Sequence, residues 1–149
     1  MALSVALGFG TWRGFTGGRF RGTHRVRRAG ALAVGTAGPD ALAPTVSILT
    51  GTEFADRVGE RATLVQFSSA FCAPCRATRR TCSEVAAMLP GVAHVEIDAE
   101  HHLDLVRRLR VLRTPTTLVL DGAGVEVTRA MGAPTRAQVI AALAPVLAV

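Results

Sequence analysis

The chain has 149 residues, 49% of them apolar and 19% charged, which is enough for one domain with a full core and ordinary for a globular protein. A net charge of +6 would suggest a nucleic-acid or membrane partner, but residues 1–39 hold six arginines and no acid, whereas residues 40–149 balance 11 arginines against 11 carboxylates. The basicity belongs to a leading segment whose aromatics (Phe9, Trp12, Phe15, Phe20) sit among glycines without a nucleic-acid motif, so no nucleic-acid partner is expected.

Residues 1–43 are rich in Gly, Arg and Ala and keep no period of 2 or 3.6, which predicts a disordered tail ahead of a domain over 44–149. Arg27 and Arg28 precede a weakly apolar stretch, and Ala41-Leu42-Ala43 has the small-x-small form of a cleavage site, so export through a twin-Arg-like leader is an alternative. Three glycines interrupt that stretch and Pro44 would follow the cut, so the expectation is a cytoplasmic protein. No apolar run approaches the roughly 18 to 20 residues of a membrane helix.

Thr45–Leu49 reads as a short β-type run, and Thr50 with Glu53 has capping-box spacing for a short helix over Phe54, Ala55 and Val58 that Gly59 ends. Ala62–Phe67 is an almost unbroken apolar run of strand length, the pattern of a strand covered on both faces. A helix over about Ala73–Met88 follows, stopped by Pro90-Gly91, and Val92–Ile97 alternates as a further strand. Asp98 is placed to cap a helix over His101–Leu109 with an apolar stripe of Leu105, Val106 and Leu109. Thr116–Leu120 is a strand, Asp121-Gly122-Ala123-Gly124 a turn, and Val125–Thr128 its hairpin partner. A last helix opening at or beside Thr135 carries Val139, Ile140 and Leu143. This alternation predicts an α/β fold with a mostly parallel sheet between helices.

The most informative residues stand at the first strand-to-helix junction, where Cys72 and Cys75 flank Ala73-Pro74 after Phe71. A helix start offers unpaired N–H groups and the positive end of the macrodipole, which favour a thiolate at Cys72 and make it the expected nucleophile. Pro74 suits an opening turn, and Cys75 is close enough to act as the resolving thiol. A zinc half-site is the alternative, with Cys82, His94, His101 and His102 as further ligands, although none has the usual spacing. No metal is therefore expected. Cys82 lies seven residues beyond Cys75, about 10.5 Å along a helix, too far for a disulfide and better read as a small buried hydrophobe. Arg76, Arg79 and Arg80 either favour the Cys72 thiolate and acidic partners or form a solvated face, and Arg107, Arg108, Arg110 and Arg113 pose the same choice.

Leu64-Val65-Gln66-Phe67 leading into Cys72-Ala73-Pro74-Cys75, then Val95-Glu96-Ile97-Asp98, Thr114-Pro115-Thr116 and Gly132, resembles the thioredoxin family from Thr45 to Val149. The resemblance implies a thioredoxin-like fold, a central mixed β-sheet flanked by helices on both faces. It implies a cis bond before Pro115 and a substrate groove built from Thr114, Pro115 and Gly132. It also implies reduction of protein disulfides through a mixed disulfide on Cys72, without a cofactor beyond the Cys72/Cys75 couple. Disulfide-bearing clients, an upstream reductase and a monomeric state go with it. Against the family pattern, Gln66 replaces a buried acid and cannot take up a proton, His94 replaces a lysine, Phe71 replaces a tryptophan and Ala73 a glycine. Gln66 and His94 are therefore the candidates for proton transfer or for support behind the cysteines. A binding or scaffold module on the same fold is the rival reading, with Gln66 as its best support.

Overall fold

The computed structural model describes residues 20–22 and 46–148. Five strands form one sheet in the order β1-β5-β4-β2-β3: β1 (Phe20–Gly22), β2 (Ala62–Ser68), β3 (Val92–Asp98), β4 (Thr116–Asp121) and β5 (Glu126–Met131). Only β2 and β3 run parallel, and the other neighbours are antiparallel. Helices α1 (Ala73–Met88), α2 (Leu103–Arg108) and α3 (Arg136–Leu147) complete the fold. The sheet is thus mixed, with more antiparallel pairing than the alternation of elements suggested.

Every residue of β2 is buried, as its almost unbroken apolar run requires of a strand with a neighbour on each edge and a layer on each face. Alternation then divides the core in two. Val65 and Phe67 join Leu49, Phe54, Ile97, Leu105 and Leu118 on one face, under α2 and the segment before β2. Ala62 and Leu64 join Cys82, Val85, Val139 and Leu143 on the other, under α1 and α3. Gln66 and Ser68 share that second face by the same alternation, which directs both toward α1.

Several expectations give way. Residues 46–49 form no strand. Ile48 N–H donates to Gly124 O (3.0 Å), tying the segment to the β4–β5 turn while Leu49 fills the core. The helix expected after Thr50 shrinks to a 3-10 turn at Ala55–Arg57. Its capping box does not form, because Thr52 Oγ1 donates to Leu49 O and accepts from Phe54 N–H, and the Glu53 carboxylate is drawn across to His102 Nε2 (2.8 Å). Asp98 caps a turn instead of α2, accepting from Glu100 N–H (2.8 Å) and pairing with His101, so the helix starts only at Leu103. The β4–β5 turn is as expected, with Asp121 Oδ1 accepting from Ala123 and Val125, and Gly124 at φ +76°, where a Cβ would run into Ser47. Strand β5 extends to Met131, three residues beyond the anticipated end.

Thr135 caps α3 through a full capping box with Gln138, but the buried stripe is Val139, Ala142, Leu143 and Val146, and Ile140 is 40% exposed. The helix turns Ile140 about 100° away from Val139, past the edge of the covered face. The expectation of a structureless tail falls mostly outside the described residues. At Phe20–Gly22 it yields to a strand, because the outer edge of β5 offers unpaired backbone groups and Phe20 packs on the second core cluster.

Leu143→Ala should cost about 2–5 kcal/mol in urea unfolding, whereas Ile140→Ala should stay within about 1 kcal/mol. Equal losses would contradict the assigned stripe. The His102–Glu53 pair makes a second expectation. Its hydrogen bond to Glu53, with help from the Asp98 carbonyl, raises the His102 pKa above 6.5. The pair therefore stabilises fully below that ordinary value and fades as pH rises through the raised one. Glu53→Gln should lower the urea midpoint most near about pH 5.5 and converge on the parent above about pH 8. A gap that widens with pH would refute the assignment.

Candidate active site

Strand β2 ends at Ser68, and Cys72 becomes the N-cap of α1, with extended backbone (φ −100°, ψ 95°) and its Sγ accepting from Cys75 N–H at 3.1 Å. Pro74 occupies the first turn, where its missing N–H leaves no gap in the hydrogen-bond ladder. Cys72 and Cys75 are joined as a disulfide with α-carbons 5.2 Å apart. The two sulfurs are not equivalent: Cys75 is only 2% exposed, Cys72 is partly open, and Phe71 just before it is 99% exposed. Ala73 is exposed as well.

Thr114, Pro115 and Gly132 are brought together. Thr114–Pro115 is cis. Pro115 O accepts from Gly132 N–H (2.8 Å), with Gly132 at φ +98°, and Ser69 and Thr114 hydroxyls meet at 3.1 Å, which brings the Pro115 loop against the turn that carries Cys72. Arg113 closes the same loop on Met131 O (3.1 Å).

Behind the cysteines lies a chain of hydrogen bonds, buried at Gln66 and opening toward the surface at both ends, whose direction is set by one fact: the Cys75 carbonyl can only accept. The Gln66 atom facing it at 2.9 Å is therefore the amide nitrogen, which also donates to Ser68 Oγ at 3.0 Å. Gln66 Oε1 then accepts from His94 Nε2 (3.2 Å), leaving His94 Nδ1 to accept from Ser83 Oγ (2.9 Å). Ser68 in turn donates to Glu96 Oε1 at 2.6 Å. Burial lowers the His94 pKa, Glu96 works against that shift, and Arg57 and Arg79 reinforce it. Gln66 and His94 are thus brought into contact with each other, and Gln66 with the backbone of Cys75.

A hollow of about 410 Å³ opens beside the disulfide, lined by Cys72, Cys75, Ser68, Arg76, Arg79, Glu96 and Asp98 among others. Another hollow, of about 570 Å³ between the 51–54 turn and α2, holds no thiol and lies away from this chemistry. The other residues weighed as zinc ligands do not converge on the pair. His101 is on Asp98 and His102 on Glu53, and the buried Cys82 thiol is pushed by desolvation up to about 12, with Thr117 opposing weakly. The Thr117 hydroxyl meets no full hydrogen-bond geometry there, so its hold on Cys82 is slight. Among the described residues no three His, Cys, Asp or Glu side chains are grouped to hold a metal ion. Arg76, Arg79 and Arg80 are exposed, and Arg79 sits 3.6 Å from Glu96. Arg108 and Arg113 are engaged on backbone carbonyls, and Arg107 on Asp104.

Sequence reasoning passed over Ser68, Ser69 and Glu96. A signal existed in the period of two: Gln66 stands opposite Glu96 in the parallel register, so residues 66 and 68 of β2 and residues 94 and 96 of β3 share the α1 face.

The thioredoxin family model matches residues 45–145. An H-type thioredoxin of Fagopyrum esculentum is 31% identical over 70 residues, 47% of this chain and 60% of that one, so the chain spans about 60% of the length of this curated relative. A thioredoxin of Nicotiana alata superposes with TM-score 0.52 at 26% identity, over 58% of this chain and 73% of its own. One from Trypanosoma brucei brucei gives 0.57 at 22% identity, over 76% of this chain and 100% of its own, a likeness of fold. Because the family match takes in β2 through most of α3, and with them both cysteines and the Pro115 loop, the chain belongs to the thioredoxin family.

Proposed function

We propose that the chain is a thiol-disulfide oxidoreductase that reduces disulfides of client proteins. The observation that carries the reading is the unequal exposure of two bonded sulfurs at a helix head, one open beside a bare phenylalanine and the other 2% exposed. In the reduced form, the Cys72 thiolate, favoured by the N-terminal end of α1, attacks one sulfur of a client disulfide. A Cys72–client bond forms and the second client sulfur leaves as a thiolate. Cys75 then attacks Cys72 Sγ, closing the bond present in this structure and releasing the first client sulfur. Two electrons have passed to the client, so an upstream reductase must return two.

The exposed ring of Phe71 and the wall formed by Thr114, Pro115 and Gly132 offer an apolar edge to an extended client segment. Gln66 holds the first turn of α1 by its bond to the Cys75 carbonyl, and His94 fixes the rotation of that amide. No separate cofactor enters this scheme, since the sulfur pair itself stores the electrons. A reducing compartment such as the cytoplasm, and action as a monomer, belong to the same proposal.

Insulin precipitation driven by dithiothreitol should run faster with the protein than without it, and Cys72→Ser should remove the whole gain. Cys75→Ser should instead accumulate a client–protein mixed disulfide, visible by intact mass. A precipitation rate equal to the blank would favour the binding-module reading.

A further inference from the structure

Closing the Cys72–Cys75 bond obliges the Cys75 thiol to give up a proton, and the inner sulfur is nearly shut off from bulk solvent. Strand β3 presents three titratable side chains toward this region. His94 is committed at both nitrogens, to Gln66 and to Ser83, and does not border the hollow beside the disulfide. Asp98 borders it, but its carboxylate is occupied by Glu100 N–H and His101, which hold it below the ordinary carboxylate range and make it a poor acceptor. Glu96 borders the same hollow as Cys75 and is aimed by a hydrogen-bonded frame. Gln66 joins the Cys75 carbonyl to Ser68, and the Ser68 hydroxyl points its hydrogen at Glu96 Oε1 (2.6 Å). The Glu96 side chain is 33% exposed, so a proton received there has a route out.

Building on the roles given above to Cys72 and Cys75, we infer that Glu96 accepts the Cys75 proton across this hollow while the second sulfur closes on the first. The Cys75–Cys72 bond forms, the Cys72–client bond breaks, and the client sulfur departs with the electron pair as a thiolate. The proton passes to the Glu96 carboxylate and from there to solvent. A polar hollow of about 410 Å³ is roomy enough for water to carry it. The charged groups facing Glu96 are Arg79 and Arg76 from α1 and His94 and Asp98 from β3, while β2 contributes only uncharged Ser68 and Gln66. The acid absent from position 66 of β2 is thereby replaced from the neighbouring strand, one residue across in register.

The test uses the reduced full chain and dithiobis(nitrobenzoate), which releases one coloured thiolate when Cys72 attacks and a second when Cys75 resolves. The second release is recognised by its independence of reagent concentration. Glu96→Gln keeps an oxygen for Ser68 but cannot take a proton. It should slow the second release relative to the first by at least about tenfold near neutral pH. The deficit should shrink above about pH 9, where a thiol ionises unaided. Glu96→Asp should recover part of the rate, and far-UV circular dichroism with a urea midpoint checks that both variants fold. An unchanged ratio of the two releases, or a slowing by the same factor at every pH as expected of a purely structural role, overturns the inference. Should the parent chain show no first release, the reading of Cys72 fails and this one with it. A normal first release with an unaffected second overturns the role of Glu96 alone.

Discussion

A sulfur takes the place that a serine or aspartate oxygen usually fills at the head of a helix, and the reactive end of the molecule is arranged around that substitution. The first N–H groups of α1 need acceptors, and Cys72 Sγ supplies one to Cys75. The atom that caps the helix is also one of the two atoms of the disulfide. Its position is not free to wander, because β2 delivers it from the centre of the sheet, with partners on both edges and packed layers on both faces.

Polar groups buried behind that sulfur would be costly if left unpaired. Here the buried Gln66 and Ser68 are tied into one directional series that runs from exposed Ser83 through His94 and Gln66 to the Cys75 carbonyl and, by way of Ser68, to partly exposed Glu96. Each member has one orientation compatible with all its neighbours. A carboxylate at position 66 could not donate to the Cys75 carbonyl, so the amide changes what the interior does: it fixes backbone where an acid would exchange protons. Burial of His94 suits it to the neutral tautomer that this series requires.

Strand β2, helix α1 and the Pro115 loop were legible because local chemistry and global packing agree there: an almost unbroken apolar run, a proline in a first helical turn, an x-Pro-Thr ahead of a β-branched strand. The segment 46–58 was not, since its Thr and Glu side chains have partners far along the chain that override the local capping pattern, as Glu53 does with His102. Ile140 was misread because hydrophobic spacing alone leaves the phase of a helix face uncertain by one residue. Glu96 was noted only as part of a family-like stretch and not as a site residue, because its nearness to Gln66 and Ser68 depends on strand register, and the parallel pairing of β2 with β3 is a contact between residues 30 positions apart.

Two arginines secure the Pro115 loop. Arg113 grips Met131 O, and Arg129, paired with Glu126 on β5, reaches Leu109 O at the end of α2. The loop that carries Pro115 is therefore fastened to the sheet at both of its ends before any client arrives. Under the proposed function, ordering entropy on encounter would fall on the visiting peptide and hardly at all on the host, so affinity among clients would be graded by how readily each can straighten. On that reading, flexible or locally unfolded disulfide loops would be favoured over those locked in compact structure.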